Sequence, residues 1–236
     1  MTMRLTGLSA ALATLLLAGC GGSSSSSSTP TPPPPPPPPT TYSYQVSVLN
    51  LTNGQPLSPV AVVLHADGNL WENGASASVA LEKLAEGGDA ADILAWENAV
   101  SNAATETPVG PGSVGEIAIS TQDETALTLS LATMLVNTND AFSGLNAVDL
   151  SGLSVGDSMT WTLSAYDAGT EANDEAAGTI PGPADMGEGY NAIRNDIDKV
   201  VRHPGVVSQH DGLTTSVLTE AHRFDNPVMR VTVTRQ

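Results

Sequence analysis

Tyr42, Tyr44, Val46 and Val48 alternate with Ser43, Gln45 and Ser47, the two-residue period of a strand with one buried face. Comparable runs at Val60–His65, Gly115–Thr121, Ala126–Val136, Ser158–Tyr166 and Val228–Thr234 predict five more strands, most of them separated by Gly, Pro, Asn or Asp. Helical spacing is confined to two places. Ile93, Leu94, Trp96 and Val100 share one face of a helix that begins near Asp89 as N-cap, and a shorter helix over Val79–Glu86 stops at Gly87-Gly88. Short alternating strands, little helix and long acidic loops predict an all-β fold with small helical insertions, an antiparallel β-sandwich. Residues 42–236 suit one domain of ordinary size.

The start of the chain follows a different pattern. Residues 1–19 carry one charge, Arg4, then an apolar run from Leu8 to Ala18, and end Leu17-Ala18-Gly19-Cys20. This reads as a cleavable export signal, too short in its apolar core to span a bilayer. The Leu-Ala-Gly-Cys ending resembles the lipobox of bacterial lipoproteins, which implies cleavage before Cys20 and acylation of that cysteine. Multiple acyl chains hold durably, since each buried methylene contributes about 0.8 kcal/mol. Cys20 is the one cysteine, so an exported domain has no internal disulfide. Residues 20–41 then form a linker, with serines from Ser23 to Ser28 and prolines from Pro32 to Pro39. The proline run predicts a polyproline II spacer of roughly 25 Å. Gly21 rather than Asp after the cysteine favours the outer membrane of a two-membrane cell envelope, on its periplasmic or surface face.

Charge narrows the partners. The formal charge is −17, and cleavage after Gly19 removes one cation and no acid, leaving −18. Such a charge repels nucleic acid and anionic headgroups. Between Lys83 and Arg194 there is no Lys or Arg, but there are 17 Asp and Glu residues. Clustered carboxylates repel unless they are separated, screened or bridged by a cation; a hard divalent ion such as calcium takes six to eight oxygens of the kinds that loops rich in Asp, Asn and Gly supply. An acidic surface adapted for solubility or salt accounts for the composition equally well. Two loops sharpen the choice: Asn137-Thr138-Asn139-Asp140 at one strand end, and Asp167 to Glu175 at another. If these loops meet, their carboxylates form a cup. Strand spacing leaves open whether they do.

Five segments in order resemble the spondin N-terminal domain in its bacterial lipoprotein form. They are Tyr44 to Pro59, the Leu-Ala-Glu-Gly-Gly-Asp pattern from Leu84, Ser130 to Leu145, Tyr-Asp-Ala-Gly-Thr-Glu from Tyr166, and Asn226 to Val233. The resemblance spans nearly all of residues 42–236. It implies a C2-like sandwich with one calcium in its apical loops, and it carries the ligand positions onto Asp140, Asp167 and Glu171, with Asn139 beside them. Glu171 stands where animal members have Asp, and its extra methylene changes the reach. No histidine follows Gly187-Glu188-Gly189-Tyr190, unlike many bacterial members.

Catalytic patterns are sparse. Gly152-Leu153-Ser154-Val155-Gly156 fits the hydrolase Gly-x-Ser-x-Gly pattern, but a strand rather than a helix is predicted after it, so a turn is expected. His65, His203, His210 and His222 lack metalloprotease spacing, and His65 is expected to be structural. Trp71, Trp96 and Trp161 are expected in the core more than as sugar platforms. The chain is therefore expected to be a non-enzymatic, membrane-anchored, calcium-binding module for adhesion or for binding an envelope protein or glycan. Alternatives are a metal- or carboxylate-dependent hydrolase and a structural subunit of a surface assembly.

Overall fold

The structure is a computed structural model that describes residues 34–236; the signal segment, Cys20 and the serine run lie outside the described residues. Pro34 to Thr41 are exposed and free of regular secondary structure. Strands β1 (Tyr42–Asn50), β4 (Val114–Thr121), β7 (Ser158–Leu163) and β10 (Met229–Arg235) form one sheet in the order β4-β1-β10-β7. The other sheet has the order β3-β2-β5-β6-β8-β9, from β2 (Ala61–His65), β3 (Ala99–Ala104), β5 (Thr128–Met134), β6 (Ala141–Asp149), β8 (Tyr166–Asp167) and β9 (Val201–Arg202). All pairings are antiparallel, and the protein is a mostly-β sandwich with a few short helices, as the alternation predicts.

Two apolar layers hold it together. Tyr44, Val46 and Val48 of β1 face Val62, Leu64, Leu129 and Leu131 between the sheets. The outer face of the six-stranded sheet carries Ala61, Val63, Ala132 and Phe142, covered by Leu81, Leu84 and Ile93. β2 is thus buried on both faces, which is why it reads as an unbroken apolar run. The covering helices are α1 (Val79–Gly87) and α2 (Ala91–Leu94). The Ser78 hydroxyl caps α1 by accepting from the Leu81 N–H, and Gly88, at φ 68°, ends it in the left-handed conformation.

The structure corrects three local expectations. The helix predicted from Asp89 is a single turn: Asp89 accepts from the Ala91 N–H, but Val100 lies on β3. Pairing of Ala99 with His65 requires extended chain there, and this long-range constraint overrides helical spacing. The run Ser158–Tyr166 is two strands in different sheets. β7 pairs with β10 and β8 pairs with β6, and the chain crosses between sheets at Ser164-Ala165, where the Asn226 side chain accepts the Ala165 N–H. Finally, β3 and β6 are strands without a sequence signal. β3 is built from small residues, and β6 is interrupted by Gly144 and Asn146.

Candidate metal centre

The loops bearing the expected ligands do meet. β6 begins directly after Asp140, and Ala141 pairs with Asp167 across β8. The Ala168 N–H donates to the Asp140 carbonyl at 3.2 Å, which joins the two loops by their backbones. Gly169 turns the second loop at φ 70°, and a Cβ there would lie 2.3 Å from the Lys199 carbonyl oxygen, so this position requires glycine.

The first loop is fixed by side chains. Thr138 donates to the Leu135 carbonyl at 2.6 Å and accepts from the Ala141 N–H. Gln55 brackets Asn137, accepting its N–H and donating to its carbonyl. Asn137 in turn accepts from Ala184 N–H, which brings the later acidic segment over the loop. All four residues from Asn137 to Asp140 are buried, so the carboxylates lie under a cover rather than in an open cup. Arg194, the first cation after the long acidic stretch, fastens that cover: its guanidinium grips both carboxylate oxygens of Glu82 on α1, at 3.0 and 2.8 Å, and bonds Asp198.

Asp140 is fully buried. One of its oxygens, Oδ2, accepts from the N–H groups of Thr170 and Glu171 at 2.8 and 3.1 Å, while Oδ1 has no partner. Asp167, 2% exposed, accepts from Gly169 N–H and from the Asn173 amide. Burial, and for Asp140 the neighbouring Asp167, raises both carboxyls above the ordinary carboxylate range. Burial chiefly, with Glu86, Asp140 and Asp174 nearby, pushes Glu171 up to about 8. Asn139 turns its amide nitrogen toward Glu171, Asp174 and Thr179, and its oxygen accepts the Glu175 N–H. That side chain ties the first loop to the acidic segment from Glu171 to Thr179.

Two further acids belong to this neighbourhood; both lie in segments quoted above, but neither is carried over as a ligand. Glu86, on α1, is 1% exposed, accepts from Asn191 N–H, and has an unpartnered Oε1. Burial raises its pKa. Glu175, 2% exposed and in left-handed backbone at φ 47°, also has an orphaned oxygen. For Glu86 the available signal is position: it lies one residue after Leu84-Ala85 on the face that α1 buries.

An orphaned, fully buried carboxylate oxygen with acidic neighbours and oxygen-only donors suits a hard cation by its chemistry. The side chains are otherwise turned onto backbone N–H and side-chain amide groups, and among the described residues no three acidic, imidazole or thiol groups converge to hold a metal ion. Backbone N–H and amide donors supply the partners that these carboxylates have, and a cation would add to them at the orphaned oxygen.

The remaining candidates are structural. His65 is buried between the Asp67 carbonyl and the Ser130 hydroxyl, at 2.8 and 2.9 Å. Ser154 lies in the exposed turn connecting β6 to β7, with a strand after it, a placement unlike a nucleophile elbow. No protein-family model matches the chain, and no curated protein matches it.

Proposed function

We propose that the chain is a non-enzymatic, lipid-anchored, extracytoplasmic module that binds calcium through Asp140, Asp167 and Glu171 and contacts a ligand at the cell envelope. Glu86, buried with one unpartnered oxygen, adds negative charge near Glu171. The observation that carries the metal reading is the unpartnered Oδ1 of fully buried Asp140 beside Asp167. Calcium bound there would neutralise carboxylates that otherwise hold protons, and metal binding would release those protons. The non-enzymatic reading is supported by the burial of the same pair, at 0% and 2% exposure, out of reach of a scissile bond. The spondin resemblance and the lipobox at Cys20 supply the fold family and the anchor in this proposal.

A melt of the full chain, purified in detergent with calcium and then with chelator, tests the metal site. At calcium a hundredfold above its dissociation constant the stabilisation is about 2.7 kcal/mol, a shift of several degrees. Asp140→Asn with Asp167→Asn removes the shift. An unchanged melting temperature, together with no calcium in metal analysis of the purified protein, sinks the site.

A further inference from the structure

A second site lies on another part of the sandwich. Between β6 and the edge strand β7 is a cleft of about 430 Å³, closed on its third side by the loop Asn69 to Asn73. Trp71, Trp161 and Tyr166 line it together with Asn69, Glu72 and Asn73. Its aromatic wall is held in place. Trp71 meets Phe142 edge-on at 5.1 Å and Tyr166 at 5.8 Å, while Phe142 stacks on Tyr166 at 5.5 Å. Asn146 clamps the loop to β6, accepting from Leu70 N–H at 2.9 Å and donating to the Trp71 carbonyl at 2.7 Å. Gly144 leaves room for the Trp71 ring, since a Cβ there would lie 3.1 Å from it.

The chemistry of the lining selects a ligand class. Asn69, Glu72 and Asn73 are exposed, and among the described residues their side chains make no hydrogen bond. No Lys, Arg or His lines the cleft, which disfavours phosphates and other anions, and Arg202 is occupied over the Tyr166 ring at 4.7 Å. A ligand that suits this surface has apolar faces for indole rings and hydroxyls that both donate and accept. A pyranose has both: its C–H faces pack on aromatic rings, and its hydroxyls match amides and a carboxylate.

We propose that this cleft binds a neutral glycan chain, with a sugar ring against the partly exposed Trp161, which the buried Trp71 backs, and its hydroxyls on Asn69, Glu72 and Asn73. This rests on the reading of the chain as a ligand-binding module and names the ligand class. The site shares Tyr166 with β8 but uses none of the carboxylates assigned to calcium.

The test is a tryptophan-emission titration of the full chain in a sugar-free detergent with cello-, chito-, malto- and xylotetraose, and with pentalysine as the peptide alternative. At least one tetraose is expected to give a saturable change that Trp96→Phe retains, because Trp96 packs on His65 away from the cleft. Trp161→Ala weakens that binding about tenfold or more, in keeping with the loss of a ring contact and its packing. Asn73→Ala, an exposed loop change that leaves the melt unaltered, weakens it by about threefold or more. No response to any tetraose, a response that survives both variants, or a response to pentalysine alone overturns the proposal. The calcium melt on the same sample separates the two readings. A calcium shift without a sugar response removes the glycan site alone, and a sugar response without a calcium shift removes the metal site alone.

Discussion

Glu175 and His203 are single residues whose environments make opposite demands on pH. Glu175 is buried with one oxygen accepting from Val207 N–H and the other unpartnered; burial pushes it up to about 7. A carboxyl with a raised folded pKa contributes its full stability below the unfolded value and loses it as pH rises through about 7. Glu175→Gln keeps the acceptor and removes the buried charge. It is expected to change little at pH 5 and to add about 1 to 2 kcal/mol at pH 8, read as a rise of a few degrees in melting temperature. Destabilisation at pH 8 would show that the ionised carboxylate is needed. His203, 3% exposed, is held down to about 4 by burial, between the Asn173 side chain and Gly205 N–H. Its depressed pKa contributes stability that is present above about 6.5 and lost as pH falls through about 4. An NMR titration of the imidazole should find it neutral at pH 5.5; protonation with an ordinary midpoint contradicts the assignment.

At the scale of elements, β6 decides the most and announces itself least. It pairs with β5 on one side and β8 on the other, so it connects the six-stranded sheet to the Asp167 loop. Its interior glycine is a packing requirement. A Cβ on Gly144 would lie 2.1 Å from the Leu131 carbonyl oxygen of β5 and would crowd Trp71. Gly144→Ala is therefore expected to cost about 3 kcal/mol, the upper range for overpacking, and to lower the melting temperature by several degrees. A melt within a degree of the parent would mean that the strands part without penalty. Strands with a buried and an open face, such as β1, are legible because alternation follows from the pleat. β6 is not, because glycine and asparagine stand at positions chosen for close approach and for clamping the Trp71 loop. The same reasoning applies to α2, where helical spacing from Ile93 to Val100 is real in sequence and is overridden by pairing of β3 with β2.

At the scale of the whole molecule, the two cations that bound the acidic stretch, Lys83 and Arg194, pin its ends to α1 and its neighbours. Arg194 closes the stretch in sequence and ties its end to α1 through a two-pronged contact with Glu82, which lies outside the stretch, so the carboxylates within it are left for the proposed metal to bridge. The proposed anchor makes its own prediction at this scale. Cys20→Ser, expressed in a Gram-negative host, is expected to move the protein from the membrane to the soluble envelope fraction and to abolish palmitate labelling. Retention in washed membranes would require another attachment.

Composition and alternation by themselves determined the fold class, the positions of β1, β2, β4, β5, β7 and β10, and the short helix α1, because burial of one face leaves a period in the chain. They also marked the two carboxylate loops as worth comparing. Tertiary structure alone decided that those loops meet, that Asp140 and Asp167 are covered rather than open, and that Glu86 and Glu175 join them as buried acids. It also decided that Trp71 and Trp161, separated by much of the chain, line one cleft. The physical reason is the same throughout: a strand's period is local and survives in sequence, whereas burial of a charge or convergence of two rings depends on which distant segments pack together.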